Sequence, residues 1–262
     1  MKKTIFSIII LFTVCLININ AQASDDFTKA MLKAKKNLKP AMDKADEKAL
    51  IKSRGEFERI LQLKEDPWLV NYYIALADHA LSLTASKDEK MDNVKKYTES
   101  GIEAITKSLD LNPEFADSYV LLEALHFNRW GYEQDKMQDI IAATTSADES
   151  AKKLEPTNPR LLLITGISQF YTPEAFGGGY KVSIPTLEKS VASYKTRKEK
   201  SELYPDWGYE MAMGYMALNL LKRDDDGDKV KAKEYIDEAV KYNPDAGFIT
   251  DYVMKEYKDA SK

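Results

Sequence analysis

Cysteine and histidine are scarce in this sequence of 262 residues, which contains one cysteine and two histidines. Neither His79 nor His126 has a second His, Cys or paired carboxylate at the spacing of a metal site. The single cysteine excludes a disulfide within the chain, and no Gly-x-Ser-x-Gly nucleophile motif is present. We therefore interpret both histidines as packing or surface residues. The sequence predicts that the protein is not an enzyme and that it holds no cofactor and no metal.

Glycine and an excess of one charge are also lacking. The chain has only 11 glycines, whereas 44% of its residues are hydrophobic and 31% are charged, a balance that favours solvated helix faces over strands. Lys and Arg number 38 against 42 for Asp and Glu, which gives a formal net charge of −4. Such a chain has no general attraction to a phosphate backbone, so we expect no nucleic-acid partner.

The longest apolar run stands at the N-terminus. Lys2 and Lys3 precede an apolar segment over residues 5–17, and Ala21-Gln22-Ala23 supplies the small residues that signal peptidase requires. This pattern predicts a cleavable signal peptide over residues 1–23 and export to the periplasm or beyond the cell. The run is shorter than the ~20 residues of a spanning helix, so we expect no membrane span. The residues before Cys15 are not the small residues of a lipoprotein signal, and we do not expect lipidation.

A repeated helix pattern follows. Between residues 97 and 126 two amphipathic runs are joined by a short turn, and in the first run Gly101, Ile105 and Ser108 share one helical face. Pro113 then ends the run, because a proline disfavours helix at the residue before it. The small, large, small spacing followed by proline recurs at Ala232, Ile236, Ala239 and Pro244. A weaker copy has Asp148 in the large position, and Glu123 stands where its own helix needs a small residue.

This pattern resembles the tetratricopeptide repeat (TPR) family, whose unit is a helix-turn-helix of ~34 residues. The resemblance implies an all-α, TPR-like solenoid of stacked antiparallel helix pairs with N- and C-terminal capping helices. We predict capping helices over residues 24–66, with Pro40 kinking or separating them. An array of about four helix pairs is predicted over residues 67–244, because each pair exposes an apolar face that the next pair covers. Residues 245–262 are predicted to form a C-terminal capping helix and tail.

Family members bind peptides or other partners along the concave surface formed by their first helices. The resemblance therefore implies an interaction scaffold with a protein or peptide partner on that surface. By helical spacing, the concave positions are Asn71, Asp78, Asp117, Asn128, Arg160, Tyr171, Tyr215 and Asn219. The alternative interpretation is that these are ordinary solvated or packed residues. Arg129 and Trp130, together with His126 and Tyr132, are predicted as a recognition patch or as a helix end packed on its neighbour.

One loop is unusual in length and composition. Residues 172–179 contain Pro173, Phe176, Gly177, Gly178 and Gly179 between two predicted helices. The glycines permit backbone shapes closed to other residues, and we expect a structural loop with Phe176 packed inward. The loop is similar to one in the periplasmic repeat protein that accompanies TRAP solute transporters. That resemblance implies an alternative function: a transporter-associated component that binds a small solute or a solute-binding protein.

Overall fold

The computed structural model describes residues 17–260, with side chains from residue 25 onward. Within this range the chain forms eleven α-helices and no strand, which confirms the all-α prediction. The helices are α1 Ile17–Asp43, α2 Glu47–Leu61, α3 Pro67–Lys87, α4 Met91–Leu111, α5 Ala116–Asn128, α6 Met137–Leu154, α7 Pro159–Tyr171, α8 Tyr180–Thr196, α9 Tyr209–Arg223, α10 Asp228–Tyr242 and α11 Met254–Asp259. Short 3-10 turns occupy Arg129–Gly131, Gln134–Lys136 and Glu174–Phe176, and a π-helical turn spans Phe248–Val253.

The predicted signal peptide lies largely outside the described residues. Its residues 1–16 are not described, and residues 17–23 belong to the start of α1. Among residues 17–260 no helix combines the length and apolar character needed to cross a bilayer. The division of the chain into caps and a repeat array stays a prediction.

Helices α3 to α10 pack as consecutive pairs: α3 with α4, α5 with α6, α7 with α8 and α9 with α10. Small residues allow the close approaches that the pattern predicted. A Cβ added to Gly101 of α4 would lie 2.7 Å from Leu125 Cδ2 of α5, and one added to Gly166 of α7 would lie 2.6 Å from Leu187 Cγ of α8. Since real Cβ atoms do not approach so closely, glycine is what permits these helices to touch.

The pair α5 and α6, where the repeat pattern is weakest, contains a buried carboxyl group. Glu123 of α5 is 6% exposed, and its Oε2 atom has no hydrogen-bond partner. Burial raises the pKa of Glu123 to about 8, and the nearby Asp148 acts in the same direction. Glu123 therefore occupies the position of a small residue as a neutral, protonated carboxylic acid at pH 7.

Pro40 does not separate the N-terminal helices, so that alternative of the prediction is wrong, while a kink at Pro40 stays a prediction. Helix α1 continues through Pro40 to Asp43, and the break falls at residues 44–46. Pro40 removes only one backbone donor close to the helix end, which α1 tolerates. The turn is formed instead by Ala45, whose φ is 49°, and by Asp46, whose side chain accepts a hydrogen bond from Ala49 N and caps α2.

Helix α1 also reaches the second half of the chain. Lys35 Nζ donates hydrogen bonds to the carbonyls of Glu202 and Tyr204, both at 2.6 Å. These carbonyls belong to the connection over residues 197–208 between α8 and α9. Tyr73 Oη of α3 donates to Leu203 O of the same connection at 2.8 Å. The connection therefore joins α1 and α3 to the later helices, and the space between them becomes a groove.

Candidate functional site

The groove has a volume of about 580 Å³ and is bounded by α1, α3, α7, the 197–208 connection, α9 and the π-helical turn. Three of these elements, α3, α7 and α9, are the first helices of their pairs, the helices on which the partner-binding surface was predicted. Most of its lining is apolar or aromatic. These side chains are Leu38, Met42, Tyr73, Leu76, Ala80, Leu83, Ile164, Trp207, Met211, Tyr215, Phe248 and Tyr252.

The spacing along α3 explains how one helix both packs and lines the groove. Tyr73, Leu76, Ala80, Leu83 and Lys87 are separated by three or four residues, so they share one face. The remaining faces of α3 are buried against α2 and α4, which is why this helix is apolar almost all round. Leu83 remains 45% exposed because it faces the open groove and not another helix.

Aromatic rings form a row at one end of the groove. The row consists of Tyr171, Tyr215, Phe248 and Tyr252, with centroid distances of 6.2, 5.0 and 6.0 Å between successive rings. Tyr171 and Tyr252, at the ends of the row, are 53% and 46% exposed. Such partly exposed rings offer a surface on which a flat apolar group can stack.

Charges on the groove walls are unevenly paired. The ionisable walls comprise Lys35, Lys39, Lys44, Lys87, Lys255, Asp43, Asp206, Glu210 and Asp251. Lys35 lies 3.7 Å from Asp206, and Lys39 lies 3.3 Å from Glu210. The other three lysines form no ion pair with any described residue. Asp43 also lies 3.8 Å from Lys39, whereas Asp251 forms no ion pair with any described residue, so the walls carry a small excess of lysines over carboxylates.

A histidine stands on the groove wall beside this apolar lining. His79 of α3 is partly buried, and its Nδ1 lies 3.1 Å from Asn128 Nδ2 of α5. The Asn128 amide also lies 3.2 Å from Ser82 Oγ. Burial lowers the pKa of His79 to about 4, so the imidazole is neutral at pH 7. Across the described residues, no group of three or more His, Cys, Asp and Glu side chains is arranged to hold a metal ion.

The structure places the residues predicted on the concave surface in several environments. Tyr215 lines the groove, Tyr171 contacts Tyr215, and Asn128 contacts the groove residue His79. Three others bond within the helix packing. Asn71 donates to Pro67 O at 2.7 Å, Asp78 binds Arg54 Nε at 2.6 Å, and Asn219 donates to Tyr215 O at 2.8 Å. A partner role for these residues stays a prediction.

Asp117 and Arg160 form a buried ion pair. Both residues are 1% exposed, and Arg160 Nε lies 2.7 Å from Asp117 Oδ1. Arg197 and Glu199 of the 197–208 connection extend this network, because Arg160 Nη2 lies 2.7 Å from Glu199 Oε1 and Arg197 Nη2 lies 3.7 Å from Asp117 Oδ2. The charges satisfy one another, as buried charges must. The network thus holds the connection against α5 and α7.

A second cavity, of about 890 Å³, opens beside this network. It is lined by the turns before α5 and α7 and by residues 193–200 and 204. Its walls include Asp117, Arg197 and Glu199, whose charged groups already bind one another or Arg160. Lys198 and Lys200 on its walls form no ion pair with a described residue, so the apolar interior is the feature that distinguishes the groove from this polar cavity.

The predicted patch after α5 is held by local contacts. Arg129 Nε lies 2.6 Å from Glu133 Oε2, and its Nη1 lies 3.4 Å from His126 Nδ1. Arg129 and Trp130 belong to the 3-10 turn that follows α5, and both are partly buried. Neither lines the groove, and a recognition role for this patch stays a prediction.

The loop over residues 172–179 requires its glycines. Gly177 and Gly179 have φ values of 84° and 91°, and a Cβ on Gly178 would overlap the carbonyl oxygen of Thr172. Gly179 N donates to Gln169 O at 2.7 Å, which ties the loop to the end of α7. The expectation that Phe176 packs inward is wrong, since this residue is 82% exposed. It belongs to a 3-10 turn whose backbone bonds close locally, and the ring is left in solvent.

Comparison with known proteins supports the fold rather than a family. No family model matches the sequence, and no curated protein matches it either. Among solved structures, the chain is similar to the HusA haemophore from Porphyromonas gingivalis, with a TM-score of 0.64 and 21% identity over 76% of this chain and 95% of that one. It is also similar to TTC0263, a thermophilic TPR protein of Thermus thermophilus, with a TM-score of 0.53 and 15% identity over 81% and 91%. The fold is a TPR-like helical repeat.

Proposed function

We propose that this protein is an exported carrier whose groove binds an amphipathic ligand with a flat apolar body and acidic groups. A porphyrin is the class of ligand that these features fit best. The observation that carries the proposal is the combination of an apolar groove, a row of aromatic rings and three wall lysines without an ion-pair partner in the described chain. Rings can stack on the flat body, and cations can pair with the acidic groups.

The size of the groove is compatible with this ligand. Its volume of about 580 Å³ lies inside the range of ~300–1,000 Å³ that is usual for small-molecule sites. HusA, which shares the fold, is named a haemophore. At 21% identity that name supports a choice of ligand to test first, and the residues of the groove provide the physical argument.

The remaining parts of the proposal concern location and chemistry. The pattern of residues 1–23 supports export, and sequencing the N-terminus of the secreted protein would test it. We expect binding without catalysis, since neither structural neighbour is named as an enzyme. A role as a transporter-associated component stays a prediction, because the 172–179 loop that suggested it makes its hydrogen bonds with its own residues and with α7.

A protein or peptide partner is the second candidate. TTC0263 is a TPR protein, and a groove lined by first helices is the surface that an amphipathic helix would occupy. The exposed ends of the aromatic row, Tyr171 and Tyr252, favour this candidate because aromatic residues dominate interface energetics. A peptide and a porphyrin would compete for the same walls, so the two candidates can be tested on one surface.

The test is a titration of the purified protein with protoporphyrin IX. Binding is measured by the quenching of tryptophan fluorescence, because Trp207 lines the groove. Leu83→Glu introduces a charge into the groove at a site where the side chain is already 45% exposed. Val230→Glu, on α10 and 64% exposed, is the matched control outside the groove. We expect saturable binding that L83E weakens by about tenfold or more, equivalent to ~1.4 kcal/mol, and that V230E leaves unchanged. Absence of saturable binding, or equal binding by L83E, would overturn the proposal.

A further inference from the structure

One of the two histidines of the chain lines the groove, and only one of its two ring nitrogens has a hydrogen-bond partner among the described residues. His79 lies on the groove wall, whereas His126 does not. The only polar contact of the His79 ring within the described chain joins Nδ1 to the amide of Asn128 at 3.1 Å. Asn128 lies on α5 and does not line the groove. The nitrogen left for the groove is Nε2.

The contact with Asn128 is compatible with either neutral form of the imidazole. With Asn128 Nδ2 as donor to Nδ1, the proton of His79 stands on Nε2. If the amide is turned over, Asn128 Oδ1 accepts from Nδ1–H, and Nε2 has a free lone pair. Ser82 Oγ, 3.2 Å from the same amide, can donate to that oxygen instead of accepting from the amide nitrogen. Because Ser82 Oγ has one proton, the form with a free Nε2 requires a rotated amide and gives up the 3.4 Å hydrogen bond from Ser82 Oγ to Val94 O.

A neutral imidazole whose second nitrogen donates to a carbonyl oxygen is the usual arrangement of a metal-binding histidine. The low pKa of His79, about 4, means that no proton must be removed at neutral pH before the lone pair can bind a metal. The groove tyrosines are poorer candidates. Tyr73 Oη already donates to Leu203 O, and burial raises the pKa of Tyr73 and of Tyr215 well above the ordinary value, which opposes the phenolate form that iron prefers.

We infer that Nε2 of His79 is an axial ligand to the iron of a ferric porphyrin bound in the groove, with Asn128 positioning the imidazole. The inference rests on the proposed function, because the porphyrin supplies the other four nitrogen ligands and places the iron. A single protein ligand is sufficient for such a centre. This is how one isolated histidine, with no second metal-binding side chain near it, can serve as a metal ligand.

The test compares ferric protoporphyrin IX with metal-free protoporphyrin IX on the wild-type protein, His79→Ala and His126→Ala. H126A is the matched control, since burial lowers the pKa of His126 to about 4 as well, but its ring lies outside the groove. The readouts are the Soret band and electron paramagnetic resonance of the ferric complex, and the dissociation constants of both porphyrins. We expect H79A to lose the imidazole-bound spectrum and to weaken ferric binding by about tenfold or more, the scale seen for changes at metal sites. Its affinity for the metal-free porphyrin should stay within about twofold of wild type, and free imidazole should restore the spectrum.

The possible results separate the inference from the function on which it rests. If both porphyrins bind and H79A keeps the wild-type ferric spectrum, His79 is not the ligand, while the proposed function stands. If H79A loses affinity for both porphyrins equally, the side chain packs against the ligand and the inference is wrong. If H126A loses the spectrum instead, the ligand is the other histidine. Failure of wild type to bind either porphyrin would overturn the proposed function itself.

Discussion

Glu123 provides a quantitative test of how this fold tolerates a carboxyl group at a position made for a small residue. The change is Glu123→Gln, which keeps the size of the side chain and removes its titration. Glu123 is 6% exposed, its Oε2 has no partner, and burial raises its pKa to about 8 from an ordinary value of 4.5. Asp148, across the interface with α6, acts in the same direction.

The sign and size of the effect follow from proton linkage. The folded pKa is the higher one, so the folded state keeps a proton that the unfolded state releases between pH 4.5 and about 8. The stability of the wild-type protein therefore contains a contribution that is fully present below pH 4.5 and is lost as the pH rises through this window. One pKa unit is worth ~1.4 kcal/mol, so at pH 7, about 2.5 units above the unfolded value, the loss is on the order of 3 kcal/mol. Glutamine, which has no proton to lose, avoids it.

The assay is urea unfolding of both proteins at intervals between pH 4 and 9. We expect E123Q and wild type to differ little near pH 4.5, and E123Q to be more stable by about 3 kcal/mol at pH 7. Glu103→Gln is the matched control, because Glu103 is exposed on α4 and its change removes only a surface pair with Lys107. A difference between E123Q and wild type that does not vary with pH would refute the reasoning, as would a variant less stable than wild type at pH 8.

Three further substitutions test other contacts. Asp117→Ala removes the carboxylate buried against Arg160, leaves that guanidinium with the more exposed Glu199 as its partner, and should lower the free energy of unfolding in urea by about 3 kcal/mol; a loss below about 1 kcal/mol would mean that the pair is solvated. Gly166→Ala places a Cβ 2.6 Å from Leu187 Cγ, so calorimetry should show a lower Tm and a loss of about 1–3 kcal/mol, whereas an unchanged Tm would contradict the close approach of α7 and α8. Phe176→Ser should change stability by no more than about 0.5 kcal/mol, since the ring is 82% exposed, and a larger loss would restore the view that it packs inward.

The helical architecture was readable from the sequence because its cause is local. The spacing of Gly101, Ile105 and Ser108 defines a face within one helix, and the small residue on that face is where α5 approaches. The position of the break after α1 is not predicted correctly from the sequence. Pro40 is a conspicuous signal but removes one hydrogen bond, whereas Ala45 and Asp46 give the chain its turn and its cap without standing out in the pattern.

The residues of the site are harder to predict from the sequence, because a polar side chain can be either exposed or buried. Asp117 and Arg160 stand at concave positions by spacing, yet each is buried because the other neutralises it. Their sequence separation of 43 residues gives no hint of the pairing. His79 has no second His, Cys or paired carboxylate at metal spacing, so the sequence predicts no metal site there. A polar side chain within helix α3 is no specific signal either, because Asn71, Asp78 and Ser82 are buried in the same helix.

The contacts of α1 decide which kind of ligand the concave surface favours. A repeat array with an open inner surface suits an extended partner, because the whole length of the groove is accessible. Here Lys35 binds the carbonyls of Glu202 and Tyr204, and Lys39 pairs with Glu210 of α9, so the N-terminal helix is fastened to the second half of the chain. The surface between them is thereby reduced to a compartment of about 580 Å³, lined by short stretches of several elements. A compact molecule can fill such a space and bury most of its surface, whereas a long peptide would first have to separate α1 from the 197–208 connection and lose these hydrogen bonds. These contacts of α1 are therefore an argument for the proposed small ligand over an extended peptide.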